Sequence, residues 1–155
     1  MQNPRIALTV AGALATVSVI GVSSAAADPA ADVTADAHQI IAAFNAHDAA
    51  AAVSHDAPNF VGMFHGAPNY LGPAGDLAIT KMQVADPAAK VVATNETVDV
   101  GASGDLAVYR ATYAYTFTDA GTKAVMTEQG NWLLGYRLQP DKSWKVIWSM
   151  VSNTR

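Results

Sequence analysis

LAVYRATYAYTFTDAGTKAVMTEQGNWLLGYRLQPDKSWKVIWSM, residues 106–150, is three strand-like runs separated by two turns. The turns fall at Ala120-Gly121 and Pro140-Asp141-Lys142, where glycine, proline and aspartate interrupt the β-branched and aromatic residues. Side chains alternate across a strand, so parity sorts them into two faces. In the first run the odd positions Tyr109, Ala111, Tyr113, Tyr115 and Phe117 share a face, and Arg110, Thr112 and Thr116 take the other. In the second, Met126, Glu128, Trp132, Leu134, Tyr136 and Leu138 stand together, with Arg137 opposite. The same count groups Trp144, Val146, Trp148 and Met150 in the third. Each run therefore has one bulky face that needs a cover.

The cover lies upstream. ADAHQIIAAFNAHD, residues 35–48, spaces Ile40, Ile41, Phe44 and His47 as an amphipathic helix. Asp48 caps a short helix from Ala49 to about Ser54, and Asp56-Ala57-Pro58 stops it before a strand, NFVGMF. APNYLGPAGD reads as turn chemistry, and DLAITKMQV (76–84) as a third helix before VVATNETVDV adds another strand. Helices first and a strand meander second give an α+β class, with the helices on one face of an antiparallel sheet.

Residues 1–27 read as an export signal: Arg5, an apolar run from Ile6 to about Val22, then Ala25-Ala26-Ala27 before Asp28. The expectation is a secreted or periplasmic protein with no membrane anchor after cleavage. Residues 28–34 read as a flexible lead-in and 35–155 as one domain. With 13 acidic and 9 basic residues and a net charge of −4, the chain lacks the basic surface nucleic acid requires. It has no cysteine, which excludes disulfides and thiolate chemistry. His38, His47 and His55 lack a helical i, i+4 partner, so no metal site is expected. GPAGD (72–76) lacks the Lys-Ser/Thr ending of a phosphate loop, and no Gly-x-Ser-x-Gly stretch occurs.

Three segments together carry a family resemblance: Phe44-Asn45-Ala46-His47-Asp48, GDLAVYRATYAYTFTDAGTK (104–123) and GNWLLGYRLQPDKSWKVIW (130–148). They resemble the nuclear transport factor 2-like superfamily, in its SnoaL-like and ketosteroid-isomerase-like branch. The resemblance implies a cone: a curved antiparallel sheet wrapped around the N-terminal helices, with an apolar pocket at its open end. It also implies a homodimer through the outer sheet face, here that of Arg110, Thr112, Thr116 and Arg137. The positions that would match the catalytic tyrosine, base and acid of ketosteroid isomerase are Ile40, Val61 and Leu134. All are apolar, so that machinery is not expected. Ser149 stands where many related chains carry an aspartate.

The expected pocket is lined by Ile40, Phe44, Val61, Met63, Asn69, Trp132, Leu134 and Trp148. His65, Glu128 and Tyr113 are the candidate proton carriers, with His65 oriented by Glu128 or Asn69. Three functions stay open, and none needs a cofactor. One is a binding domain for a small hydrophobic molecule. Another is an acid–base enzyme such as an isomerase, cyclase, dehydratase or lyase. A dimerisation or partner-binding module is a third reading.

Overall fold

The computed structural model describes residues 28–154; the expected export signal lies outside the described residues. Three helices precede and flank a single six-stranded sheet. They are α1 (Pro29–Asn45), α2 (Ala49–Val53) and α3 (Gly72–Val84). The strands are β1 (Asp56–Phe64), β2 (Tyr70–Leu71), β3 (Lys90–Val100), β4 (Leu106–Thr118), β5 (Val125–Leu138) and β6 (Trp144–Asn153). Their order across the sheet is β2-β1-β6-β5-β4-β3, with β1 parallel to β6 and every other pair antiparallel. The sheet curves around the helices without closing.

Residues 28–34 are not a flexible lead-in. The Asp28 carboxylate accepts from the Ala30 and Ala31 amides, and Pro29 begins the helix with its missing N–H where no donor is needed. Val33 and Ala37 are fully buried, so this first stretch anchors α1 to the sheet. The α3 helix likewise begins earlier than expected: Gly72-Pro73-Ala74-Gly75 forms its first turn rather than a loop. Asp48 caps α2 by accepting from the Ala51 amide at 2.9 Å.

The parity of β4 and β5 sets the inner face. Tyr109, Ala111 and Tyr113 of β4 face inward with Leu134 and Tyr136 of β5, and all are buried. Two glycines let these rings lie flat. Tyr113 crosses Gly130, where a Cβ would stand 2.7 Å from its ring, and Tyr70 crosses Gly62, where a Cβ would stand 2.0 Å away.

Parity fails in β6. Gly135 pairs with Trp148 but Tyr136 pairs with Val146, so Ile147 is an extra residue on the β6 side. This β-bulge inverts the faces beyond it. Trp148 therefore leaves the bulky set of Trp144 and Val146, and lies on the outer face across Gly135. The same outer face holds Val61 and Met63, registered with Trp148 and Met150, while Phe60 and Phe64 point inward. Between Asp56 and Val61, β1 runs five residues against two of β6, and Pro58 falls in this bowed section where no ladder donor is required.

Candidate functional site

Between the helices and the inner sheet face lies a partly open cavity of about 130 Å³. Its apolar wall includes Ile40 and Phe44 of α1, Phe60 and Phe64 of β1, Leu134 of β5 and Val146 of β6. The aromatic rings interlock: Phe44 meets Tyr115 edge-on at 6.0 Å, and Tyr70 lies 6.1 Å from Phe60 and 5.8 Å from Phe64.

Polar groups enter this wall at two places. On one side, Asp56 at the start of β1 faces Asp76 of α3, with Tyr70 and Thr80 beside them. Burial first, then the neighbouring Asp76 charge and hydrogen bond, together push the Asp56 carboxyl up to about 8 against the pull of Lys145. Burial also raises Asp76, opposed by hydrogen bonds from Asp56, Thr80 and Tyr70. The Thr80 hydroxyl donates to Asp76 at 3.4 Å. Two carboxyls this close in an apolar setting hold one proton between them at neutral pH and titrate as a unit. The Tyr70 phenol is raised by burial first and then by both aspartates, so it stays a neutral donor.

On the other side, the Tyr113 hydroxyl donates to Glu128 Oε1 at 2.8 Å, and burial followed by this bond raises the phenol. Nearby, the Trp132 indole N–H donates to the Ser149 hydroxyl at 3.0 Å. Ser149 and Val151 reach the cavity because of the Ile147 bulge.

Of the expected site residues, Ile40, Phe44, Tyr113, Glu128, Trp132 and Leu134 line this cavity. Val61, Met63 and Trp148 are on the outer face, for the register reasons above. Asn69 and His65 are exposed on the β1–β2 connection and do not line it. The expected convergence of His65 with Glu128 on one cavity therefore does not occur. The Asp56–Asp76 pair was missed because Asp56 reads as a helix stop and Asp76 as part of a turn. One signal was available: Asp76, Thr80 and Gln83 stand at i, i+4 and i+7, a polar stripe on the face α3 turns inward.

Outside the cavity, the ring Nδ1 of His55 donates to Asp36 Oδ1 at 2.6 Å, tying the start of β1 to α1. The second Asp36 oxygen and the buried Tyr136 hydroxyl face one another without meeting hydrogen-bond geometry. His38 pairs with Glu96 at 2.6 Å, and His47 donates to the Val84 carbonyl. Among the described residues no group of three or more His, Cys, Asp or Glu side chains is arranged to hold a metal ion.

No family model and no curated protein matches the sequence. Solved structures do match in shape. A ketosteroid isomerase-like protein from Erwinia carotovora atroseptica superposes with a TM-score of 0.69 at 20% identity, covering 83% of this chain and 98% of that one. A protein from Novosphingobium aromaticivorans described as NTF2-like with a cystatin-like fold gives 0.66 at 16% identity, with 80% of each chain covered. This chain has the nuclear transport factor 2-like fold. Hexachlorocyclohexane dehydrochlorinase LinA-type3 from Novosphingobium barchaimii shares it at a TM-score of 0.70 and 14% identity, over 81% of this chain and 86% of that one. At these identities the nuclear transport factor 2-like fold is what is shared, and the fold hosts more than one activity.

Proposed function

We propose that the chain binds a small, largely hydrophobic molecule in the cone cavity, its polar end held by the inward carboxyls. The observation that carries this reading is an apolar wall closed around the Asp56–Asp76 pair. Sites of this kind combine apolar lining with a few placed polar groups. A thermal-shift screen of small hydrophobic compounds tests it, since a ligand of the native state raises Tm. Ser149→Phe, which fills the cavity from β6, abolishes the shifts. A screen with no stabilising compound, or equal shifts in that variant, rejects the reading.

A second reading is a cofactor-free acid–base enzyme, and the shared proton favours it. A carboxyl titrating at about 8 is poised to give or take a proton near neutrality. In this reading Asp56 and Asp76 replace His65 as the proton carriers, with Tyr113 and Glu128 facing the same space. A ketosteroid isomerase-like protein and a dehydrochlorinase on the same fold lend it support by analogy only.

We further infer that two copies pair through the outer sheet face, where Val92 is 47% and Met150 41% exposed beside Arg110 and Thr112. Light scattering on the wild type and on Val92→Glu/Met150→Glu tests this; a monomeric wild type rejects it. Export to the periplasm or medium is proposed from residues 1–27, and N-terminal sequencing of the mature protein decides it.

A further inference from the structure

The cavity is one-sided in charge. Among the described residues, three carboxyl side chains line it (Asp56, Asp76 and Glu128), and no lysine, arginine or histidine does. Glu128 is engaged by Tyr113, whereas the fully buried Asp56 Oδ2 has no donor from any group other than the neighbouring Asp76 carboxyl. Two buried carboxyls with one proton between them are under-supplied with donors, and donors arriving with a ligand offset the cost of burying them.

Two further features narrow the donor. The rings of Phe44, Tyr115 and Trp132 line the same space, and aromatic faces attract cations. The carboxyls do not gather into a three-ligand set, and hard metal ions need six or more oxygens or retained water. An organic ammonium needs neither. It brings one charge, several N–H donors and an apolar tail for Ile40, Phe60 and Leu134.

We propose that the cavity takes a small lipophilic amine in its ammonium form, with the Asp56–Asp76 pair as counter-ion. The inference rests on the cavity being a binding site and names the ligand class. Size agrees: a cavity of roughly 150 Å³ accepts a benzene-sized molecule, and this one, at about 130 Å³, is open at one end.

Calorimetry of the full chain with cyclohexylamine and with cyclohexanol, a neutral molecule of the same shape, tests the class. The wild type is expected to favour the amine by about tenfold or more, the range of a charge-assisted hydrogen bond. Asp56→Asn alone leaves Asp76 free to ionise, so the informative variant is the pair Asp56→Asn/Asp76→Asn. It is expected to lose the preference while still binding cyclohexanol. A wild type that binds both equally, or a double variant that keeps the preference, overturns the ammonium assignment and leaves the cavity reading standing. Binding of neither compound removes both.

Should the double variant not fold, the wild type still decides the matter through pH. The proton between Asp56 and Asp76 is faced by Tyr70, Thr80 and Lys145. Its loss between pH 7 and 9 adds negative charge, so amine affinity is expected to rise and cyclohexanol affinity to fall or stay level. An amine affinity that falls over this range overturns the proposal.

Discussion

The side-chain amide of Asn45 closes both backbone hydrogen bonds of Val91. Its Nδ2 donates to the Val91 carbonyl and its Oδ1 accepts from the Val91 amide, each at 2.8 Å. Val91 sits on β3, an edge strand whose outward backbone groups otherwise stay open. The last residue of α1 thus completes the sheet edge and fixes the helix over the cavity.

Asn45→Ala leaves a half-buried N–H and C=O unpaired together. The expected loss is about 1–3 kcal/mol of unfolding free energy. Urea denaturation checks it. Asn45→Asp keeps the acceptor but loses the donor, and should fall between.

The Asp56 carboxyl makes stability pH-dependent in a defined direction. Its folded value, about 8, lies above the ordinary carboxyl value of 3.8 that the unfolded chain takes. Between these values the folded state holds more protons than the unfolded state, so stability falls as pH rises through this window. Asp56→Asn removes the Asp56 share of that dependence and leaves that of Asp76. At pH 8 it should stabilise by on the order of 1–2 kcal/mol, discounted because the carboxyl is partly exposed, and at pH 4 it should change little. Parallel melts at the two pH values give the sign directly.

Gly130→Ala places a Cβ 2.1 Å from the Ser152 carbonyl oxygen and 2.7 Å from the Tyr113 ring. The β5–β6 pairing and the Tyr113–Glu128 bond cannot both survive unshifted. A loss of about 1–3 kcal/mol is expected by denaturant titration.

His65→Ala should do almost nothing. The side chain is exposed on the β1–β2 connection and does not line the cavity. Stability within about 0.5 kcal/mol of wild type and unchanged ligand shifts are expected in the thermal assay. A loss of ligand response would return His65 to the site.

How much of this was legible in the sequence depends on the element. Strands β4 and β5 pair without a break over their shared length, so simple alternation put Tyr113 and Glu128 on one face, where the structure joins them. In β6 the alternation is broken by one residue, and nothing in KVIWS distinguishes a bulge from a regular strand. In β1, the register with β6 decides that Phe60 and Phe64 face in and Val61 and Met63 out; resemblance-based placement had Val61 inside. The fold class needed only the order of elements and was readable. The Asp56–Asp76 pair was not, because its members sit twenty positions apart on a strand and a helix whose packing is a tertiary event. Local propensity says nothing about such a meeting.

The bulge at Ile147 has a consequence for how this scaffold could change its contents. Were the same residues paired without the bulge, the alternation of Trp144 and Val146 would run on to Trp148, turning its indole into the cavity and the Ser149 hydroxyl out of it. The indole would then occupy the cavity with no substitution at any lining position. Capacity in this cone is thus set by the register of one strand, and a slip in pairing can alter it as sharply as a change of side chain.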